Sequence, residues 1–515
     1  MRRKRRPGPR SMRARAPYPA GPTSSWGMWA LPSFPAPEAA PWPGRCWTGC
    51  RHRCHVVGGG GMNAGKSASE AHRLGGMPRE VFARRRRRVL ERLGDDVMIL
   101  PAAPALIRSR DSELPYRPDS ELFYLSGCRE PEALLVLVGR SADASTVMFT
   151  RVRDPEQERW TGPRVGVDAA PTLYGVDRAF PVGELSRRLP ELLEGAERIH
   201  HRLGVHPSLD AMVVDALRVA RIRGARTGRG PRAVVDPGGI LDELRLRKGP
   251  EEIVALREAV EATIHGFRAG MAVTAPGVGE WEIQAEVEAA FRRAGAEGPA
   301  FGTIVGSGPN GCVLHYVDNN RRVAAGDLVL LDAGAEVRLY AGDLTRTFPA
   351  SGRFTPEQEA VYEVVESARR VAVEAVAPGV TVQEVHRQAE TQLLLGLREL
   401  GLLSGSVDEL RARKAHRSYF PHRTSHWLGM DTHDPGDYVV DGGNRPLEPG
   451  MVLTVEPGLY FPPGPVGTSG DHPFAGIGIR IEDDVLVTEE GRDVLSEALP
   501  TDPAQVAALV GRAGR

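Results

Sequence analysis

The stretch Gly326-Asp-Leu-Val-Leu-Leu-Asp332-Ala-Gly334, continued by Ala341-Gly-Asp343-Leu-Thr-Arg-Thr-Phe348, decides how the rest of the chain is read. An apolar run that ends in Asp332 reads as a strand carrying a carboxylate into the interior, and Asp343 opens a second such strand. A buried carboxylate is costly unless something cationic compensates it. His426, Glu456 and Glu482 occupy comparable apolar or Gly-bounded stretches. For any one of these residues a turn cap or a surface charge is the simpler explanation. Four carboxylates and one imidazole together are the ligand set of a site for two hard divalent ions. An oxygen-rich set favours Mn²⁺ over thiolate-loving metals. Two ions about 3.5–4 Å apart lower the pKa of a shared water and make hydroxide available at neutral pH, which is hydrolytic chemistry.

A second stretch has the same form. Gly450, five residues, Glu456-Pro-Gly458 repeats Gly326, five residues, Asp332-Ala-Gly334, and each is followed by another acidic strand residue, Glu482 and Asp343 respectively. Either two strands are alike by chance over nine positions, or a half-domain is duplicated into a pseudo-symmetric sheet with ligands from each half. Around these stretches we expect strands over 301–306, 312–317, 328–333, 337–348, 451–456 and 477–487. A helix begins at Pro250, where Glu251 and Glu252 suit the helix dipole, and buries Ile253, Leu256, Val260, Ile264 and Phe267 along one face. A second begins at the capping box Thr355-Pro-Glu-Gln358 and runs to about Val376. Upstream, a helix over 80–93, strands at 97–100, 134–138 and 146–150, and helices near 183–195 and 208–222 form a separate α/β pattern. The expected domains are an extension over 1–77, a small N-terminal α/β domain over 78–245 and a catalytic domain over 246–510.

Residues 1–77 carry 13 Lys/Arg and 2 Asp/Glu, leaving 53 basic against 64 acidic residues in the body. The extension has no periodicity and is expected to be disordered. Its Cys46, Cys50 and Cys54 fit no common structural zinc spacing. A start at Met62 or Met77, with an upstream artefact before it, is the expectation here. The mildly acidic body carries no nucleic-acid footprint. No apolar run reaches the roughly 18 residues of a spanning helix, so no membrane partner is expected. Only Cys128 and Cys312 fall in the body, which gives no disulfide framework and points to the cytoplasm.

Histidines gather near the ligands. His422, His426 and His433 lie within twelve residues, and His315 follows the Asn310-Gly311 turn. Such a group suits proton transfer and oxyanion stabilisation beside a metal site. The stretches GSGPNGCVLHY, GDLVLLDAGAEVRLYAGDLTRTFP, TSHWLGMDTHD, LEPGMVLTVEPGLY and GIGIRIEDDVLVT resemble the proline-specific peptidases of the pita-bread metallopeptidase fold, of the aminopeptidase P type. The resemblance covers roughly 78–510 and includes Arg108-Ser-Arg-Asp-Ser-Glu-Leu-Pro-Tyr116.

The resemblance implies a C-terminal pseudo-symmetric pita-bread α+β domain and removal of an N-terminal residue that precedes proline, by hydroxide held between two metal ions. A prolidase acting only on Xaa-Pro dipeptides is the alternative. It also implies roles: Asp332 on one ion, Asp343 and Glu482 bridging both, His426 and Glu456 completing the second. Glu456 takes the proton of the attacking water. His315 and His433 contact substrate and tetrahedral intermediate, and His422 holds the carbonyl side of proline. Arg480 organises the carboxylates, and Tyr460 lines the pocket. Trp160 matches a tryptophan that reaches a neighbouring subunit's site, so a homodimer or homotetramer is implied. Where the family commonly has Gly, this chain has Arg423, which changes the pocket's charge.

Overall fold

The computed structural model describes residues 74–140, 144–226, 228–464 and 473–512. The arginine-rich start and the Cys46–Cys54 cluster lie outside them.

The N-terminal part is built on a six-stranded mixed sheet. Its order is Arg178–Pro181, Ser145–Thr150, Leu134–Val138, Val97–Pro101, Arg198–His200 and Ala233–Val235. The three consecutive middle strands pair antiparallel, and the outer ones join in parallel. Val97–Leu100 and Leu134–Val138 are buried at every position because helices cover both faces. The expected helix over 80–93 is Arg79–Leu93. Leu74 and Met77, which the sequence reading placed in the extension, are buried against Phe82 and Phe123 in the same core. Gly75 and Gly76 between them adopt φ of 59° and 74°, and a Cβ at Gly75 would lie 2.8 Å from the Phe123 ring. What read as a glycine-rich tail is a tight turn.

The C-terminal part has two halves of like construction. In each, a pair of long helices packs behind a three-stranded antiparallel sheet. The helices are Pro250–Val273 with Glu280–Arg293, then Pro356–Ala375 with Val382–Glu399. The sheets are Ile304–Ser307, Leu328–Ala333, Leu344–Pro349, then Val452–Val455, Asp483–Val487, Arg492–Val494. Sequence reasoning found the first helix of each pair and missed the second. Both pairs pack at glycine: a Cβ at Gly266 would meet Phe291 at 2.2 Å, and one at Gly396 would meet Val364 at 2.2 Å. The duplicated glycine turns are alike in geometry, with φ of 85° at Gly326 and 88° at Gly450.

Three expected strands differ. The 477–487 run is two strands, Gly478–Arg480 and Asp483–Val487, paired in different sheets. The 337–348 run is broken by a two-residue turn at Arg338 and Leu339, whose φ values are 54° and 66°. Leu339 is fully buried and Arg338 pairs with Glu258, and this environment holds the unfavourable backbone. Residues 312–317 form no strand: a 3₁₀ turn, Gly308–Cys312, leads into irregular backbone. Side chains replace the ladder there. Buried Glu280 accepts from Ser307 N and Arg321 N, and Asn319 accepts from Val305 N.

A continuous core joins the two parts. Leu122, Phe123 and Leu244 pack in one cluster with Leu256, Tyr340 and Leu428. Within it Arg85 is paired at 3.2 Å with Glu252, whose other oxygen accepts from Tyr340 Oη.

Candidate metal centre

The central strand Leu328–Ala333 is hydrogen-bonded on both sides, and Asp332 stands opposite Ile304 and Thr345. Asp343 immediately precedes the neighbouring strand, and its amide donates to Asp484 Oδ2 at 3.0 Å. In the second half, Glu456 follows Val452–Val455 and Glu482 precedes Asp483–Val487. A single bridge, Thr345 to Glu482, stitches the halves together, and Thr345 Oγ1 donates to Glu482 Oε2 at 2.7 Å. His426 lies in an irregular segment fixed to Thr454, whose amide donates to the His426 carbonyl at 3.0 Å.

These elements converge. Ligand atoms of Asp343, His426 and Glu482 lie within 4.8 Å of one another. His426 Nε2 is 3.3 Å from Asp343 and 3.8 Å from Glu456. All five predicted ligands line one cavity of about 1010 Å³. Three observations fit a divalent-ion site. Asp332 Oδ1 is buried and has no hydrogen-bond partner among the described residues. His426 Nδ1 lies 3.1 Å from its neighbour's carbonyl, which selects the tautomer whose Nε2 lone pair faces the carboxylates. The donor set is oxygen-rich with one imidazole.

The electrostatics show the same deficit of positive charge. Burial, reinforced by Asp343 and Asp332, pushes Glu456 up to about 7. Burial and the neighbouring acids raise Glu482 far above the ordinary carboxylate range, and burial with Asp343 raises Asp332. Burial would lower His426, but the Asp343 hydrogen bond and the Asp343 and Glu456 charges lift it to about 9. A site in which acids resist ionising and a histidine holds its proton is one that divalent cations would complete.

Arg480 enters from Gly478–Arg480 and ion-pairs with Asp332; its Nε donates to Thr345 and its Nη1 to Tyr460 Oη at 2.8 Å. Tyr460, expected on the cavity wall, lies one layer behind it, buried between Arg480 and His422. His422 Nδ1 faces the Arg423 carbonyl at 2.7 Å and Nε2 accepts from Tyr460 Oη at 2.9 Å. Both ring nitrogens are thus engaged within the chain, and the ring also lines the cavity. Burial and Arg480 push His422 down to about 3, so the ring is neutral. His315 and His433 do line the cavity, and the His433 ring stands 4.3 Å from His426. Trp160 does not: it is 86% exposed on the helix Pro155–Thr161, which buries no residue.

Sequence reasoning missed Asp484 and Arg117. Asp484 orients the Asp343 backbone from within an acidic run that reads as a single ligand. Arg117 reaches the cavity from the N-terminal part and pairs with Glu336 at 2.6 Å, a contact 219 residues apart that no local pattern announces.

Comparison with known proteins agrees with this geometry. Residues 254–489 match metallopeptidase family M24, and residues 82–200 match the aminopeptidase P N-terminal domain. The Xaa-Pro aminopeptidase of Escherichia coli is 43% identical over 436 residues, spanning 84% of this chain and 98% of its own. Pseudomonas aeruginosa aminopeptidase PepP superposes with a TM-score of 0.81 at 44% identity, covering 85% of this chain and 99% of that one. Zinc-substituted E. coli aminopeptidase P in complex with product gives 0.80 at 42% identity, with 85% and 99% coverage. An N-terminal α/β domain followed by two pseudo-symmetric halves, with acids from each half meeting at one cavity, places the chain in metallopeptidase family M24, as a metal-dependent peptidase of pita-bread fold.

Proposed function

We propose that the chain is a Xaa-Pro aminopeptidase that binds two Mn²⁺ ions and releases the N-terminal residue from peptides with proline in second position. The observation that carries this is the meeting of four acids and one imidazole, with Asp332 Oδ1 unsatisfied, in a cavity lined also by His315 and His433. Asp332, Asp343, His426, Glu456 and Glu482 would hold the ions. Bound there, the ions supply Lewis acidity for activating a water and polarising the scissile carbonyl.

The chain's own residues do the rest. Glu456 takes the proton of the attacking water and passes it to the leaving proline nitrogen. Burial keeps His433 low, so a neutral N–H donates to the oxygen that gains charge. His315 donates to the substrate carbonyl from the opposite rim. His422 reaches the proline side by exchanging its Arg423 carbonyl for substrate. Arg480 and Tyr460 hold Asp332 and His422 in place. An Xaa-Pro amide has no N–H, so the choice of proline rests on the fit of its ring against the cavity wall rather than on a hydrogen bond from that nitrogen.

Trp160, exposed on a helix that buries nothing, is the natural contact to another copy in a homodimer or homotetramer. No helix among the described residues is long and apolar enough to cross a membrane, and a cytoplasmic enzyme without nucleic-acid partners is the reading taken.

The test is hydrolysis by chelator-stripped, Mn²⁺-reloaded protein. Xaa-Pro-Yaa should be cleaved and Xaa-Ala-Yaa spared; equal rates would end the proline claim. Cleavage of Xaa-Pro dipeptides alone would make the enzyme a prolidase.

A further inference from the structure

The loop that carries His433 is not held by strand pairing. Its backbone closes on itself through Gly429 N to the Asp431 carbonyl at 3.2 Å and Asp434 N to the Trp427 carbonyl at 2.9 Å, and one backbone bond, Ala341 N to the Gly429 carbonyl at 2.9 Å, joins its start to the hairpin between Asp332 and Asp343. Among the described residues the His433 ring makes no hydrogen bond; it only stands against His426. The residues on either side of it are clamped by charged groups from outside the loop. On the near side, Arg245 Nη2 donates to Asp431 Oδ2 at 2.7 Å and Asp434 Oδ1 at 2.6 Å, and Lys248 reaches Asp434 at 3.0 Å.

The far side of the clamp is made by Arg117 and Ser120, also of the N-terminal domain. Arg117 Nη2 donates to the Met430 carbonyl at 2.7 Å, and its Nη1 lies 3.1 Å from Ser120 Oγ. Ser120 Oγ donates in turn to Asp431 Oδ1 at 2.7 Å. The same guanidinium donates through Nε to Glu336, on the hairpin between Asp332 and Asp343. One planar group thus ties the hairpin that bears two ligands to the loop that bears His433. A planar fork suits such three-way contact, and a point charge does not.

We infer that Arg117 and Ser120 are positioning residues for the reaction: the N-terminal domain, through them, sets His433 at the reacting carbonyl. This rests on the role given above to His433. It assigns the N-terminal domain a part in turnover, not only in covering the cavity. A group displaced by about 1 Å loses on the order of 100-fold in rate, so the clamp bears on kcat more than on substrate binding.

The experiment is a double-mutant cycle on Xaa-Pro-Yaa hydrolysis by the Mn²⁺-loaded full chain, reading kcat and KM separately. Arg117→Ala should lower kcat by about 10- to 100-fold with KM nearly unchanged. In a His433→Ala background the same change should cost under about twofold, because the residue through which it acts is gone. Equal losses in both backgrounds would overturn the inference, as would a rise in KM with kcat intact. His433→Ala alone tests the underlying role, so its failure is read without touching Arg117. If Arg117→Ala does not fold, Ser120→Ala carries the same cycle, since it deletes one hydroxyl. Arg117→Lys should restore little, whereas a domain-locking charge alone would be restored.

Discussion

The two halves of the catalytic domain share a plan and divide the labour. In the first, Asp332 lies within a strand paired on both sides, and Asp343 follows a tight turn. In the second, Glu456 stands one residue past its strand, and the side chain is one methylene longer. The first half holds charge on short, rigid side chains. The second inserts the segment between Glu399 and Gly450, which brings His422, His426 and His433 to the same cavity. Duplication supplied a symmetric cage for cations, and the asymmetric insertion supplied most of the proton-handling groups. The difference teaches that loss of a cage acid and loss of a non-ligand imidazole such as His433 are separable defects, with His426 belonging to both groups.

That separation can be broken at its strongest point first. Asp343→Ala removes an acid that sits against both His426 and Glu482, and kcat/KM is expected to fall by about 10⁴-fold, roughly 5 kcal/mol of transition-state stabilisation. Metal analysis should show fewer ions per chain. A variant that loses activity yet retains its ions would place Asp343 outside the cage. His433→Ala should do the converse: kcat falls by about 100-fold while metal content stays at the wild-type value.

Gly429→Ala sharpens the comparison inside the insertion. A Cβ there would lie 2.4 Å from Asp434 Oδ2, a buried carboxylate that Arg245 and Lys248 fix from two sides. The loop must shift, so we expect about 1–3 kcal/mol of destabilisation in urea unfolding. A roughly tenfold loss of kcat should accompany it, because a displaced His433 costs rate. A loss of stability with unchanged turnover would show that this loop tolerates displacement.

The cage was legible in the sequence because each ligand closes an apolar run at a glycine turn, and Gly326 and Gly450 adopt nearly the same backbone. What surrounds it was not legible. Asp484 reads as one more acid in Glu482-Asp483-Asp484, although its carboxylate orients Asp343. A strand at 312–317 has no edge to pair with, because Glu280, distant in sequence, and Asn319 take the Ser307 and Val305 amides of Ile304–Ser307. Arg117 acts on groups more than 200 residues away. Of the two helices that were missed, Glu280–Arg293 starts at Gly279 without a side-chain cap, whereas Val382–Glu399 is capped by Thr381 as plainly as its neighbour is by Thr355, so its start was legible and overlooked. Periodicity and turn chemistry report local structure; a side chain that substitutes for backbone pairing leaves no local trace.

The halves also differ in what they bury behind the cage, and this gives the prediction with least effect on turnover. The first half buries Glu280, fully satisfied by Ser307, Asn310, Tyr316 and Arg321. The second half sets a half-buried His386 on Val382–Glu399, with Nδ1 2.8 Å from Thr424 Oγ1. Burial lowers the His386 pKa, and His416, Arg423 and Arg417 lower it further against the opposing Glu390. The folded-state value therefore lies below the unfolded value of about 6.5. Its stabilising contribution is complete above that pH and is lost as pH falls toward the folded value, because the unfolded chain takes up the proton first. The melting temperature should decline as the protein is taken from pH 7 toward pH 5. His386→Gln keeps a partner for Thr424 and removes the titration, so it should flatten that decline while leaving kcat at neutral pH within about twofold. An unchanged slope in the variant would assign the acid sensitivity to other groups and leave the two halves alike in this respect.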